Sequence, residues 1–225
     1  MCLRLPDGRY TGAVNLSWSS AAAATDERRE ITERFRPMLA TVCDQLRTPR
    51  LLADAIAPNA FALVLSPTGL AYDLPTRAPG PYLGEGGALR GFLLEKLGPR
   101  MPRRFVWSDE AGFCHKVAII PCRGKIMLVT EELVPWPYDL SFREIQVLHL
   151  VADGASNPQI AQQLFVSPRT ISAHMEHILA KMGCSSRTKL AAMAISEGLL
   201  LAETPSRRAI GRKLHGGWKQ GYKES

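Results

Sequence analysis

No stretch of this 225-residue chain is apolar for the ~18 residues that a membrane-spanning helix needs, so no span is expected. The amino terminus, MCLRLPDGRY, has no long apolar segment behind its basic residue, which argues against a secretory leader. Cysteine is sparse and irregular: Cys2, Cys43, Cys114, Cys122 and Cys184 are odd in number and never form a CxxC pair. That speaks against a disulfide framework or a zinc site and fits a reducing, cytoplasmic setting. A glycine-rich phosphate loop is missing as well, because Gly84-Glu85-Gly86-Gly87 is short and flanked by prolines on its amino-terminal side. With no nucleophile–base pair and no metal-ligand cluster, neither an enzyme nor a cofactor is expected.

What is present is an ordinary globular balance, 46% hydrophobic and 22% charged residues, enough for a buried core in one or two domains. The formal charge is +7 and the isoelectric point about 9.4, values compatible with nucleic acid as a partner. The distribution is uneven. Residues 139–202 are neutral, with Arg143, Arg169, Lys181, Arg187 and Lys189 set against Asp139, Glu144, Asp153, Glu176 and Glu197. From Glu203 onward, Arg207, Arg208, Arg212, Lys213, Lys219 and Lys223 face only Glu203 and Glu224, a basic tail of net +4. The first 138 residues supply the remaining +3.

Residues 1–50 read as two short strands around the Asp7-Gly8 turn pair, a small-residue run from Ser19 to Ala24, and a long helix capped at Thr25-Asp26. Ile31, Phe35, Met38, Leu39, Val42 and Leu46 form one helical stripe, to be buried on the next segment or on a second subunit; Pro37 kinks it and Arg47–Arg50 marks its end. This order resembles the carboxy-terminal end of a GAF domain, entered midway. In residues 51–132, Leu51–Ala57 reads as helical and holds Asp54, whose context lacks the other acids and the lysine of a phospho-receiver. Strands follow at Ala60–Leu65 and Leu70–Leu74, a Pro/Gly loop at Pro75–Gly87, a helix at Ala88–Leu97, and strands at Phe105–Trp107, Phe113–Ile120 and Lys125–Thr130. The order resembles a PAS-type fold, which implies a sensory or dimerisation unit answering to a small-molecule or protein signal. Cys114, His115 and Cys122 match no standard ligand spacing, and strand alternation sends Cys114 and His115 to opposite faces. Core cysteines are the plainer reading, with a ligand-binding or redox remnant as the rival. Residues 133–139, with prolines around Trp136, read as a semi-rigid linker.

Residues 140–201 carry four sets of helix punctuation. Ser141 with Glu144 is a capping box, and Gly154 stops the helix that Ile145, Leu148 and Val151 line. Ser156, Pro158 and Gln159 open a second helix with Ile160, Ala161 and Leu164 inward. Phe165-Val166 turns the chain, and Ser167-Pro168 opens a third helix with Ile171, Met175, Ile178, Leu179 and Met182 at 3.6-residue spacing. Gly183 ends it, and Ser185 or Ser186 starts a fourth helix bearing Leu190, Ala191, Ala194 and Ile195. Two short helices joined by a tight turn leave the start of the second exposed, where a major-groove reader places its side chains and offers free N–H groups to phosphates. Arg169, Thr170, Ser172, Ala173 and Glu176 fall there. On pattern alone, a helical bundle for protein contacts is the alternative.

The segment Leu140–Leu200 resembles the LuxR/GerE helix-turn-helix of bacterial transcription regulators. The likeness rests on Leu140 to Glu144, Val147-Leu148, Gly154, Ser156-Asn157, Ile160-Ala161, Leu164, Val166-Ser167, Arg169 to Ile171, His174, Ile178, Lys181, Gly183, Arg187-Thr188 and Ala191. The resemblance implies a four-helix domain that dimerises through its last helix on a two-fold site in double-stranded DNA. It places Ser156, Asn157, Thr170, Lys181 and Arg187 at phosphates, Ser172, Ala173 and Glu176 toward bases, and His174 on the buried side. Ser172 departs from the lysine or asparagine of many members, and Glu176 from their basic or neutral residue; glutamate can accept from cytosine N4 but repels phosphates. The expected architecture is therefore an α/β, PAS/GAF-like amino-terminal region, an all-α four-helix domain, and a basic tail from residue 202.

Overall fold

The computed structural model describes residues 1–17, 25–75, 77–96, 98 and 101–202. The expected small-residue run at 19–24 and the basic tail from Glu203 lie outside the described residues. Strands β1 (Cys2–Arg4) and β2 (Tyr10–Ala13) pair antiparallel around the expected turn, where Gly8 takes φ +84. Helix α1 (Asp26–Val42) begins where Thr25 Oγ1 accepts from the Arg28 amide, with Asp26 and Glu27 facing the positive end of the helix dipole. It crosses the hairpin at the buried Leu3 and Ala40, and Arg9 clamps Asp44 through two bonds of 2.6 and 2.9 Å.

Two expectations about this region change. The stripe of Ile31, Phe35, Met38 and Val42 does not pack on the following segment; within the single chain these side chains are about half exposed or more. The helix crosses the small hairpin, and Ala40, a small residue, is the one it buries. Arg47–Arg50 is not merely the end of α1 but the first turn of a separate helix, α2 (Arg47–Ile56), because Pro49 sits where an amide has no intrahelical partner to lose.

The central sheet contains β3 (Phe61–Leu65), β4 (Ala71–Asp73), β5 (Arg104–Ser108), β6 (Cys114–Pro121), β7 (Met127–Val134) and β8 (Leu201–Ala202), in the order β4-β3-β7-β6-β5-β8. All neighbours are antiparallel except the β5–β8 pair. Strand β7 continues through Leu133 and Val134, so the linker is shorter than the sequence indicated. The Pro/Gly segment is not all loop: Pro81 presets the first turn of α3 (Gly80–Leu83). Together with α4 (Ala88–Lys96) it covers one sheet face, burying Leu83, Leu89 and Leu93 on Leu63, Leu65, Phe105, Trp107, Val117, Ile119 and Val129. On the opposite face α2 covers the β3–β7 half, and the carboxy-terminal helices cover the β5–β6 half.

Those helices are α5 (Phe142–Ala152), α6 (Asn157–Leu164), α7 (Pro168–Lys181) and α8 (Arg187–Glu197), each opened by the serine foreseen for it: Ser141, Ser156, Ser167 and Ser186. Their core of Ile145, Leu148, Ile160, Ile171, Ile178 and Leu190 is continuous with Val106 and Cys114 of the sheet. After α8, Gly198 takes φ +72, the chain reverses, and β8 lies parallel to β5 with Val106 opposite Leu201. The Val106 amide donates to the Leu200 carbonyl at 2.9 Å. The helical domain is thus secured to the sheet at its exit, a long-range pairing for which the sequence carries no local signal.

Gly198 is buried against the backbone and Cβ of Arg104, where a side chain would collide. A Cβ in this left-handed conformation costs about 1–2 kcal/mol before the clash is counted. Gly198→Ala is therefore expected to lower the unfolding free energy by at least about 1 kcal/mol in urea titrations. Unchanged stability would mean that β8 is not held on β5.

Candidate nucleic-acid interface

The face that could meet DNA is built from the starts of three helices. Helix α7 is anchored by a buried row, Ile171, Met175 and Ile178, three and four residues apart. The same period places Arg169, Ser172, Ala173 and Glu176 in one exposed stripe on its other side. Thr170 is exposed too, in the first turn, where Ser167 Oγ accepts from its amide at 3.1 Å and the two hydroxyls pair at 2.8 Å. This cap fixes the start of the helix while leaving its outward face clear.

A polar chain orders the stripe from behind. Asn157, the first residue of α6, donates from Nδ2 to Ser172 Oγ at 3.3 Å, and Ser172 donates to the Pro168 carbonyl at 3.2 Å. Arg187, the first residue of α8, donates to Asn157 Oδ1 at 3.0 Å and to the Ala155 carbonyl. Gln159 Oε1 accepts from both the amide and the hydroxyl of Ser156, at 2.7 and 2.8 Å. Asn157, Ser172 and Arg187, residues from three helices, thus form one connected surface. His174 is half-buried at its edge.

Lys181 stands elsewhere. Its Nζ lies 2.8 Å from the Asp139 carbonyl and 2.8 Å from Glu144 Oε2, and so ties α7 to the linker and to the α5 capping box. Glu144 accepts in turn from the Ser141 amide at 2.8 Å and hydroxyl at 2.9 Å. Burial pushes the Glu144 carboxyl upward, but the bonds from Lys181 and Ser141 outweigh it and hold its pKa below the ordinary 4.5. Two of the cations assigned to phosphates, Lys181 and Arg187, therefore make internal bonds as well.

Two residues acquire roles that the sequence reading did not give them. Arg143 donates to the Leu164 carbonyl at 2.6 Å and to Gln146 Oε1 at 3.0 Å, bracing the end of α6; burial lowers its pKa. Its only signal was its place in the LSFRE run. Phe165, read simply as part of the turn, adopts φ 55 and is 90% exposed at the corner between α6 and α7. The left-handed conformation is unusual for a bulky residue, and here it lets the Val166 amide reach the Ala161 carbonyl at 3.0 Å.

The model of the family "Bacterial regulatory proteins, luxR family" (GerE) matches residues 139–194, and this segment is a LuxR/GerE-type helix-turn-helix domain. The oxygen regulatory protein NreC of Staphylococcus aureus, strain JH9, is 44% identical over 61 residues, 27% of this chain and 28% of NreC. NreC of strain USA300 matches with the same figures. The chain thus matches little more than a quarter of the length of these relatives. Among solved structures, a phage VqmA–DPO complex is 20% identical, covering 55% of this chain and 70% of that one at a TM-score of 0.30. Escherichia coli SdiA is 17% identical, covering 78% and 98% at a TM-score of 0.28.

A depressed carboxylate contributes stability that is complete above its unfolded value and is lost as the pH falls through the folded one. Circular dichroism of the wild type on acidification below about pH 4.5 should show loss of stability that Glu144→Gln lacks, the variant being the weaker at neutral pH. Identical acid profiles for the two proteins would remove Glu144 from this role.

Proposed function

We propose that this chain, whose residues 139–194 form a LuxR-family helix-turn-helix domain, is a cytoplasmic bacterial transcription regulator that binds double-stranded DNA. It would act as a homodimer on a two-fold site, under the control of its α/β amino-terminal region. The observation that carries the reading is the exposed α7 stripe of Arg169, Ser172, Ala173 and Glu176, presented in a domain of this family and stiffened from behind by Asn157 and Arg187. A helix held this way enters the major groove by its amino-terminal turns, with side chains of that end against base edges. Arg169 and Thr170 fall at the phosphate side of such an entry, at the positive end of the helix dipole. Ser156, Asn157, Lys181 and Arg187 would orient the backbone through their remaining donors or through the bonds described above.

Ser172 and Glu176 define an unusual readout. The serine hydroxyl can pair with several base edges, and the glutamate accepts from cytosine N4. Glutamate also opposes the phosphates, and residues 139–202 carry no net charge, so the domain alone would hold DNA weakly. The basic tail would supply the missing attraction. The amino-terminal sheet would act as the sensory or dimerising unit, answering to a small molecule or protein, with no cofactor and no catalytic role.

Selection from a random pool of duplexes by the whole 225-residue chain should enrich a two-fold sequence at low salt; failure to enrich any sequence would overturn the reading. On the selected site, Arg169→Ala should weaken binding across sequences and reduce the log–log salt slope by roughly 0.9 for each phosphate that the arginine no longer neutralises. Glu176→Gln should instead change preference at one base pair per half-site, by about 1–3 kcal/mol. Truncation after Glu203 is expected to weaken binding to every duplex and flatten the salt dependence. An unaltered slope would show that the tail takes no part.

A further inference from the structure

The amino-terminal sheet buries a group of ionisable side chains that the DNA-binding reading does not use. His115 on β6, Trp107 on β5 and Glu131 on β7 are each at most 3% exposed, and they lie on the face covered by α3. The imidazole is held at both nitrogens: Nδ1 is 2.6 Å from Glu131 Oε1 and Nε2 is 3.3 Å from Asp109 Oδ2. Tyr82 of α3 closes the group by donating to Asp109 Oδ2 at 2.8 Å. The rings of Tyr82, Trp107 and His115 pack on one another with centroids 4.8 to 5.1 Å apart.

Asp109 is also the first residue of the β5–β6 turn. Its Oδ1 accepts from the Phe113 amide at 2.8 Å, its own amide donates to the Phe113 carbonyl, and its carbonyl accepts from the Gly112 amide. The Gly112 carbonyl of that turn accepts from Trp136 Nε1 at 3.2 Å. Trp136 then packs edge-on against Phe142 of α5, with ring centroids 5.8 Å apart. A continuous series of contacts therefore runs from a buried imidazole, through one tight turn, to the first helix of the DNA-binding domain.

We propose that Asp109, His115 and Glu131 form a proton-responsive latch that sets how firmly the helix-turn-helix domain is docked on the sheet through Gly112 and Trp136. An imidazolium has two N–H groups and serves both carboxylates; a neutral imidazole has one and can serve only one. Among the described residues Glu131 Oε2 has no hydrogen-bond partner, so the Glu131 carboxylate depends on His115. Loss of the proton leaves two buried carboxylates facing each other across a neutral ring, and the longer contact, to Asp109, is the one to yield. That releases one restraint on the turn that presents Gly112 to Trp136.

The ionisable groups facing His115 are Glu131 from β7, Asp109 from the end of β5, and Tyr82 from α3; Glu110, in the same turn, acts on Tyr82. Tyr82 is pushed up to about 12 by its bond to Asp109 and stays neutral throughout. Burial disfavours charge on His115, but the bonds to Glu131 and Asp109 outweigh it and raise its pKa above 6.5. The sign follows. The latch is closed while the imidazole is charged, below that raised value, and opens as the pH rises through it.

The latch is independent of whether the protein reads DNA, and its test reads docking instead. The whole chain would be followed by NMR between pH 6 and 9, recording the His115 ring titration and, after correction for intrinsic rates, hydrogen exchange at the Val106 and Ala202 amides, which lie in the β5–β8 ladder, and at the Trp136 indole. We expect protection at these sites to fall at least tenfold with the same midpoint as the His115 titration. His115→Gln should abolish this dependence. Trp136→Phe keeps an aromatic ring but removes the donor; it should leave His115 titrating while protection at Val106 and Ala202 is lower and no longer follows it. Flat protection in the wild type while His115 titrates would overturn the proposal, as would an unaltered dependence in either variant.

Discussion

The architecture depends on one constraint: the helical domain is hydrogen-bonded to the same sheet at its entry and at its exit. At the entry the Trp136 indole holds the Gly112 carbonyl; at the exit β8 extends the sheet beside β5. Between these points Tyr138 donates to Glu197 at the end of α8, and Lys181 holds the Asp139 carbonyl. The linker therefore lies along the domain that it introduces. The two halves share a hydrophobic core in which Val106 and Cys114 of the sheet lie against Leu140 and Leu201. A module tethered at one end would be free to reorient; one held at both ends turns with its sheet. Strand β8 also covers the edge of β5, which would otherwise offer unpaired backbone groups to another chain.

Charge around the exposed α7 stripe is arranged more for geometry than for attraction. Arg187 spans the loop before α6 and the first residue of that helix, Lys181 secures a capping box, and Arg143 braces the end of α6. Each of these cations satisfies backbone carbonyls that sit at or near helix ends. Arg169 remains outward on the stripe, with Glu176 two turns further along. Around the apolar core of the domain, these long polar side chains tie the ends of the short helices to one another. The consequence is a braced surface with little net charge.

The amino-terminal unit poses a different problem. The α1 helix runs for 17 residues with only Ala40 buried, and Ile31, Phe35, Met38 and Val42 line an outer face. Most helical stability in proteins comes from the packing of an apolar face rather than from propensity, and α1 also carries Pro37 in its interior. The Thr25 cap, the acidic first turn and the Arg9–Asp44 clamp all act at its ends. The sequence pattern for this helix was correct, yet periodicity says only that one face is apolar and not what lies against it.

Features encoded by short-range chemistry were legible along the chain. Serine caps, glycine stops and 3.6-residue spacing located four helices between Phe142 and Glu197, and the helix-turn-helix resemblance was carried by those same residues. Alternation alone sent Cys114 and His115 to opposite faces of β6, and they pack in separate cores, Cys114 with the helical domain and His115 under α3. Tertiary structure decided everything that joins distant positions. Lys181 and Glu144 are 37 residues apart, Arg187 and Asn157 are 30 apart, and β8 meets β5 from the far side of the helical domain. A lysine or arginine in a sequence carries the same charge whether its head lies on a phosphate or on a neighbouring carbonyl. Which of these it meets is fixed only when the helices pack, because the partner is chosen by distance in space and not by spacing along the chain.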